Sequence, residues 1–494
     1  MQKAYLNLGT KEVFNGQYLL AVFKVKTYGG LSLEDAASEI AAESSNGSNL
    51  TVGTATKFSN SMGAVVYKID EKKGLAWIAY PWRIFDRGGN VQSIITYVNG
   101  NILGMGSLAG CKLIDIWFPH EMLALYTEPS YTIDDMRKYL KVFKRPILGT
   151  IVKPKIGLKP SEYADVCYNF WAGGGDFVKN DEPQADQDFA PFVEMVDSVR
   201  AAMDKAENET GDTKVHSFNV SAADFDTMIE RAEHVKKVMK PESYAYLVDG
   251  ITAGWSAVQT IRHRYPDVFL HFHRAGHGAF TREENPFGMS VPVLTKLARL
   301  AGVSGIHTGT AGIGKMSGSP EEDILATNMA LDIHEDGSFF EQSWGITDPE
   351  NTGLKEAIER DKELEAGDYR KLINAHDAEL QKDIAKGERN KTDFFEQEWK
   401  SFGKTCPIVS GGMNPVLLRP FIETMGDTDF IITMGGGVHS HPDGTKAGAT
   451  ALVQAAEAWE KDIELGEYAK DHPELATAIE FYNKHGTQAH RIKK

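Results

Sequence analysis

The chain has 494 residues, of which 42% are apolar and 25% charged, a composition typical of a globular protein with two or three domains. Its 53 basic and 69 acidic side chains leave a net charge of −16. This acidic balance disfavours nucleic acid as a main partner, but it allows a local basic site for an anionic ligand.

The cysteines and the N-terminus indicate a cytoplasmic protein. Cys111, Cys167 and Cys406 lie far apart and give neither a metal-binding spacing nor a disulfide framework. Residues 1–7 lack the apolar run of a signal peptide. No stretch reaches 18 consecutive apolar residues, so we expect no membrane span and no membrane partner.

Residues 1–136 mix strand and helix patterns and predict an N-terminal α+β domain of the ferredoxin-like type. The predicted helix spans 33–42 and begins after Ser32. The predicted strands are 18–25, 64–69, 75–80 and 91–97.

From about residue 137 short apolar strands alternate with helical patterns. The strand candidates are 147–152, 177–179, 215–220, 244–248, 268–273, 305–307, 408–410 and 430–433. Eight such strands predict an α/β fold, a (β/α)₈ TIM barrel, over residues 137–460, followed by a helical tail at 461–494.

The most informative stretch runs from Gly173 to Glu182. Three glycines suggest close backbone packing before a short strand that ends at Lys179, and Asp181 and Glu182 follow at once. Two carboxylates alone make a poor site for Mg²⁺, which prefers several oxygen ligands. If the Lys179 amine is neutral and reacts with CO₂, it becomes a carbamate and supplies a third anionic oxygen ligand.

Polar or cationic groups follow six of the eight predicted strands, which packing alone does not explain. Glycine pairs after the last two strands match the position at which barrels bind phosphate through backbone N–H groups. Arg274 and His307 lie elsewhere on the ring and could hold a second phosphate. The residues therefore indicate a barrel enzyme with a divalent metal and a doubly phosphorylated substrate.

Three motifs together resemble the large subunit of ribulose-1,5-bisphosphate carboxylase/oxygenase (Rubisco), most closely the form II or II/III type. They are Gly-Gly-Asp-Phe-x-Lys-Asn-Asp-Glu-Pro at 174–183, His-x-His-Arg-Ala-Gly-His at 271–277 and His-Thr-Gly-Thr…Gly-Lys-Met at 307–316. The resemblance implies carboxylation of ribulose 1,5-bisphosphate to two 3-phosphoglycerate, with competing oxygenation by O₂. It also implies Mg²⁺ and an activating CO₂ held as a carbamate.

The resemblance assigns a role to each matching residue. Lys179, Asp181 and Glu182 would bind the metal, and the carbamate would take the C3 proton. The other catalytic groups would be Lys153, Lys155, His273 and Lys315. The groups that would bind the substrate are Glu43, Ser48, Asn49, Asn101, Thr150, Lys155, Arg274, His277, His307, Lys315, Ser410, Gly411, Gly412, Gly435 and Gly436.

Relatives of this kind are homodimers with shared active sites, so Glu43 and Asn101 would come from the partner, and no small subunit is expected.

One stretch departs from the family pattern: about 347–392, between two copies of Phe-Phe-Glu-Gln-x-Trp at 339–344 and 394–399. A helical apolar stripe over 369–384 favours an assembly insertion, whereas the alternative is a solvated surface excursion. An insertion of this kind would build a ring of dimers, five in such relatives.

Two other functions compete with carboxylation. A Rubisco-like enolase or isomerase would use the same scaffold on a related phosphorylated sugar, because a fold does not fix a function. Such relatives usually lose several groups that this chain keeps, including Lys153, Lys179 and Lys315. A non-catalytic assembly protein would have no use for the intact metal trio.

Overall fold

A computed structural model of the chain describes residues 5–50, 52–315, 319–332, 395, 397–399 and 402–485. These residues form two compact units. The first takes its described residues from Met1–Thr127, Gly278–Leu300 and Asp332–Gly403. The second takes them from Glu128–His277, Ala301–Leu331 and Lys404–Lys494. The predicted insertion at 347–392 and the first Phe-Phe-Glu-Gln-x-Trp copy lie outside the described residues.

The strands are β1 (Tyr18–Thr27), β2 (Val65–Asp70), β3 (Leu75–Pro81), β4 (Leu108–Trp117), β5 (Ile147–Ile151), β6 (Phe177–Lys179), β7 (Val215–Asn219), β8 (Tyr244–Asp249), β9 (Phe269–His273), β10 (Phe287–Met289), β11 (Gly305–His307), β12 (Cys406–Ser410) and β13 (Ile431–Thr433).

The helices are α1 (Leu33–Glu43), α2 (Lys57–Ser61), α3 (Val91–Val98), α4 (His120–Leu123), α5 (Ile133–Leu140), α6 (Pro160–Ala172), α7 (Phe192–Thr210), α8 (Phe225–Val238), α9 (Trp255–Arg264), α10 (Gly278–Thr281), α11 (Val291–Leu300), α12 (Pro320–Leu331), α13 (Leu418–Met425), α14 (Gly436–His439), α15 (Gly444–Glu460), α16 (Leu465–Tyr468) and α17 (Pro473–His485). Within the described ranges, no helix is long and apolar enough to cross a membrane.

The first unit contains a five-stranded sheet in the order β10-β4-β1-β3-β2. Strands β4, β1, β3 and β2 pair antiparallel, α1 connects β1 to β2, and α3 lies between β3 and β4. This is the ferredoxin-like arrangement that the sequence predicts. The short strand β10 pairs parallel to β4 and extends the sheet at that edge.

Local signals explain where the helices of this unit begin. Ser32 caps α1 as predicted, because its Oγ accepts a hydrogen bond from the Asp35 N–H at 3.1 Å. The predicted strand at 91–97 is wrong, since this segment is α3. Asn90 caps it, and Val91, Ile94 and Val98 are buried on one face at helical spacing. The β-branched residues of this segment favour a strand, but the buried positions have the spacing of a helix.

A buried ion pair crosses the interior of the first unit. Lys296 Nζ of α11 lies 2.7 Å from Asp115 Oδ1 of β4, and both side chains are fully shielded from solvent. The ammonium also donates to the carbonyl oxygens of Ile116 and Phe395, each at 3.0 Å. Burial raises the pKa of Asp115, and the charge and hydrogen bond of Lys296 oppose this shift and favour the carboxylate anion.

The second unit is a closed barrel of eight parallel strands in the order β5-β6-β7-β8-β9-β11-β12-β13. Every strand of the predicted barrel is present, with bounds within two residues of those expected. Buried apolar residues fill one end of the barrel, among them Ile147, Phe177, Val215, Phe269 and Ile431. Because parallel strands share a direction, their carboxyl ends meet at one rim, where barrel enzymes place their chemistry.

Candidate active site

Close backbone packing fixes the strand that carries the central lysine. A Cβ added to Gly175 would lie 2.1 Å from Phe170 Cε1, and one added to Gly173 would lie 2.4 Å from the Lys446 carbonyl oxygen. Neither position can accept a side chain without displacing its neighbours. The glycines therefore let α6 and α15 pack against the start of β6, as the sequence suggested, and hold Lys179 at the opposite end.

Lys179 is the last residue of β6 and is only 1% exposed. Its Nζ donates a hydrogen bond to the Asn180 carbonyl oxygen at 3.0 Å. Burial lowers the pKa of Lys179 to about 8, although the charges of Asp181 and Glu182 oppose this shift. A substantial fraction of this amine is therefore neutral and nucleophilic near neutral pH.

The two carboxylates are paired with lysines from the end of β5. Asp181 Oδ2 lies 2.5 Å from Lys153 Nζ, and Glu182 Oε1 lies 2.6 Å from Lys155 Nζ. Burial acts to raise the pKa of Asp181. The hydrogen bond with Glu182 and the positive charges of Lys179 and Lys153 outweigh burial and hold that pKa below its usual value. Asp181 is thus held as an anion, the form that can bind a cation.

His273, the last residue of β9, completes a group that could hold a metal ion. Its Nε2 lies 3.9 Å from Asp181 Oδ1 and 3.9 Å from Glu182 Oε2. One ligand atom from each of the three residues lies within 4.8 Å of the others. Burial, followed by the charge of Lys179, lowers the pKa of His273, so its ring is neutral. Carboxylate oxygens fit a hard divalent cation such as Mg²⁺.

A second cluster on the rim suits an anion. His307 Nδ1 lies 3.1 Å from Ser410 Oγ, and His307 Nε2 lies 3.1 Å from His271 Nε2. Burial lowers the pKa of Arg274 to about 10 and that of His277 to about 3. Arg274 Nη1 is buried with no hydrogen-bond partner in the part of the chain that the structure describes. A phosphate oxygen would satisfy this donor.

The predicted glycine pairs lie against two of the lysines that the sequence predicts to be catalytic. The Lys315 N–H donates to the Gly411 carbonyl oxygen at 2.8 Å, and a Cβ on Gly412 would lie 2.8 Å from Lys315 Cβ. Gly435 and Gly436 begin α14, and a Cβ on Gly435 would lie 3.1 Å from Lys153 Cε. These glycines leave room for the lysines beside them.

Four of the predicted residues belong to the first unit, whereas Thr150 lies in β5 of the barrel. Asn101 Nδ2 donates to Glu43 Oε1 at 3.2 Å, so these two candidates are neighbours. Ser38 Oγ donates to Asn49 Oδ1 at 3.4 Å, and Ser48 Oγ accepts from the Leu50 N–H at 3.0 Å. The structure thus brings the barrel residues together at one rim and places Glu43, Ser48, Asn49 and Asn101 in the other compact unit.

The sequence prediction missed two residues at the rim. Asn219 ends β7 and Asp249 ends β8, the two strands for which no polar end had been noted. Asn219 Nδ2 donates to the Glu182 carbonyl oxygen and to Asp249 Oδ2, both at 3.0 Å. Asp249 Oδ1 lies 3.3 Å from His273 Nδ1. The predicted strands ended one residue away from both, which hid the signal.

Comparisons with known proteins agree with this geometry. The family model for the ribulose bisphosphate carboxylase large chain, catalytic domain, matches residues 132–350 and 362–482, and the N-terminal domain model matches 10–122. A ribulose bisphosphate carboxylase of Rhodopseudomonas palustris (strain HaA2) is 38% identical, with 97% of this chain and 94% of the relative covered. One from Paramagnetospirillum magnetotacticum is 37% identical, with 97% and 95% covered.

Solved structures give the same result. The dimeric archaeal Rubisco of Hyperthermus butylicus superimposes with a TM-score of 0.78 at 34% identity, covering 97% of this chain and 98% of that one. The octameric Rubisco of Pyrococcus horikoshii OT3, in complex with sulfate, gives a TM-score of 0.78 at 30% identity, covering 97% and 96%. With a matching fold, family models for both domains and relatives that span nearly its whole length, this chain belongs to the ribulose bisphosphate carboxylase large-chain family.

Proposed function

We propose that this chain joins CO₂ to ribulose 1,5-bisphosphate and cleaves the product to two 3-phosphoglycerate, with O₂ competing, at a magnesium site formed on a carbamylated Lys179. The observation that carries the proposal is the buried Lys179 at the rim, next to Asp181 and Glu182, which are both paired with lysines. An enzyme of this family needs that set, and a purely structural barrel has no use for it.

Activation begins with the neutral Lys179 amine. Its nitrogen forms a bond to the carbon of CO₂, one proton leaves, and the product carries a negative carbamate. The lowered pKa of the amine and its burial beside Lys153 support this step. The site then presents three anionic groups, from Lys179, Asp181 and Glu182, to a cation.

These three groups would hold Mg²⁺, since all offer oxygen ligands. When bound, the ion polarises the substrate oxygens and stabilises the negative charge that develops on them. Lys153 and Lys155 currently neutralise the carboxylates, so they must turn from Asp181 and Glu182 toward the substrate when the ion binds. This change places both ammonium groups at the rim, where they can donate protons.

Each of the other rim groups takes part in proton transfer or binding. The Lys179 carbamate accepts the C3 proton, and Lys153, assisted by Lys155, protonates the carboxylated carbon at the end of the reaction. His273, oriented by Asp249, moves protons during hydration. Lys315 steadies the new carboxylate from its position beside the Gly411–Gly412 turn, to which its N–H donates a hydrogen bond.

The two phosphates bind on different parts of the rim. Arg274, His307 and Ser410 hold one of them, which supplies the partner that the Arg274 guanidinium lacks in the described structure. Gly411, Gly412, Gly435 and Gly436 hold the other through backbone N–H groups, with Ser48 and Asn49. Thr150 and His277 support these contacts.

The proposed assembly is a homodimer in which Glu43 and Asn101 serve the partner's barrel. Their mutual hydrogen bond of 3.2 Å supports a joint role. The solved relatives are named as dimeric and octameric, so oligomers of this family vary in size. For this chain we propose a ring of dimers, with the segment 347–392 as the assembly element; five dimers, the number in relatives with such an insertion, would make a decamer.

The test is incorporation of ¹⁴CO₂ into acid-stable product in the presence of ribulose 1,5-bisphosphate and Mg²⁺. The wild-type protein should fix label, and Lys179→Ala should fix none with or without preincubation in CO₂. Lys179→Arg is the matched control, because it keeps a cation at the position but cannot form the carbamate. Enolisation of a related sugar phosphate without label uptake would instead support the enolase alternative, and substantial fixation by Lys179→Ala would refute the role of Lys179.

A further inference from the structure

His439 makes three side-chain contacts that bind separate parts of the barrel rim together. Its Nε2 lies 2.9 Å from Thr150 Oγ1 and 3.1 Å from the Ile151 carbonyl oxygen, at the end of β5. Its Nδ1 lies 3.0 Å from Thr445 Oγ1, in the first turn of α15. The histidine itself ends α14, the turn that begins with the phosphate-binding glycines.

The partners determine which ring nitrogen carries the proton. A carbonyl oxygen only accepts hydrogen bonds, so Nε2 must donate to Ile151. Thr150 Oγ1 donates to the Met434 carbonyl oxygen at 2.8 Å, and its lone pairs are therefore free to accept from the same Nε2–H. Nδ1 is left as an acceptor for the Thr445 hydroxyl. Burial lowers the pKa of His439 to about 4, so the ring keeps this neutral form.

The position of this ring matters because of what lies beside it. Lys153 follows Ile151 by two residues, and its Cε would lie 3.1 Å from a Cβ on Gly435. The lysine therefore crosses directly over the glycine turn. Nothing covalent holds the two segments in register, since they are almost 300 positions apart in the sequence. Besides the β5–β13 pairing and the Thr150–Met434 hydrogen bond, the Nε2–H of His439 supplies a further hydrogen-bonded link, from beyond the glycine turn back to the end of β5.

We propose that His439 is a positioning residue that holds the end of β5, and with it Lys153, in fixed register with the phosphate-binding turn at Gly435. The inference rests on the proposed function, in which Lys153 protonates the carboxylated carbon and Gly435 binds phosphate. The sequence prediction included Thr150 as a supporting residue but did not include the histidine that binds it.

The test compares two reactions of the same site. Exchange of the C3 proton uses the Lys179 carbamate and takes place before the step that needs Lys153. Complete turnover to the carboxylated product needs both the Lys179 carbamate and Lys153. His439→Leu removes the hydrogen bond from His439 to the Ile151 carbonyl oxygen. Because Lys153 would then be misplaced as a proton donor, carboxylation turnover should fall about 10- to 100-fold. C3 exchange at saturating ribulose 1,5-bisphosphate should stay within about threefold of wild type, because the side-chain contacts of His439 are with Thr150, Ile151 and Thr445 and not with Lys179.

Two polar variants separate the ring nitrogens. His439→Gln can place an amide N–H where Nε2 stood, so it should donate to Ile151 and keep turnover within about threefold of wild type. His439→Asn reproduces only the Nδ1 acceptor, so it should behave like His439→Leu. His441→Asn is the control: this buried histidine, two residues on, contacts the Glu474 carbonyl oxygen at 2.9 Å, and its loss should leave the ratio of turnover to exchange unchanged.

The proposal is overturned if C3 exchange and carboxylation turnover fall by the same factor in His439→Leu and His439→Asn, because that result indicates a general loss of folding. It is also overturned if the Gln and Asn variants have the same turnover. A wild-type protein that fixes no ¹⁴CO₂ would instead refute the proposed function, so the two failures are distinct.

Discussion

The lowered pKa of Lys179 predicts a specific pH dependence for its reaction with CO₂. With a pKa of about 8, about a tenth of the amine is neutral at pH 7, against about 0.03% for an ordinary lysine, a difference of about 300-fold. Raising the pH removes the ammonium proton, so the rate of carbamate formation should rise about tenfold from pH 6 to 7 and level off above pH 8.

The assay follows the modification itself. The metal-free protein is exposed to ¹³CO₂ at a fixed dissolved concentration between pH 6 and 10, the carbamate is trapped chemically, and the labelled peptide is quantified by mass spectrometry. Lys179→Ala gives the background. Two further variants should shift the midpoint of the pH profile in opposite directions. Lys153→Met removes a positive charge and should raise the midpoint, and Asp249→Asn removes a negative charge and should lower the midpoint.

Two results would refute this reasoning. A rate that continues to rise tenfold per pH unit up to pH 10 would show that burial does not lower the pKa of Lys179. Midpoints that move in the same direction in Lys153→Met and Asp249→Asn would show that the charges of Lys153 and Asp249 do not modify the pKa of Lys179 as proposed.

Three other predictions concern different parts of the chain. Lys315→Ala should lose carboxylation yet keep C3 proton exchange, measured by solvent isotope uptake, and equal losses would contradict a separate role. Deleting 347–392 with a short Gly/Ser join should leave an active dimer by light scattering, and an unchanged assembly, corrected for the missing residues, would exclude the segment as the assembly element. Lys296→Met leaves Asp115 buried and unpaired, so denaturant melts should show about 3–5 kcal/mol less stability. A loss under about 1 kcal/mol would mean that Asp115 becomes neutral at little cost.

The barrel could be predicted from the sequence because its strands are short apolar runs with polar residues after them. The strand bounds are correct within two residues, and Lys179, His273 and His307 end their strands as expected. An error of one residue in a strand boundary does not change the predicted fold, but it can hide a functional residue. Asn219 and Asp249 were missed for this reason. Strand ends are the least certain part of such a prediction and, in a barrel, the most important part.

Other features could not be read from the sequence in principle. Residues 91–97 are rich in β-branched side chains, and only the packing of Val91, Ile94 and Val98 on one face decides for a helix. The contacts of His439 depend on barrel closure, which brings β13 beside β5. The shift in the pKa of Lys179 requires knowledge of its burial, which no local pattern supplies.

The short strands of the barrel limit how this protein can change length during evolution. In β6, Phe177 belongs to the apolar core and Lys179 lies on the same side one pleat later, while Val178 faces the other way. A single inserted or deleted residue would turn the lysine out of the site and bring its neighbour in. We therefore expect insertions and deletions among relatives to be confined to the helices and the connections between them, where they leave the strand register intact.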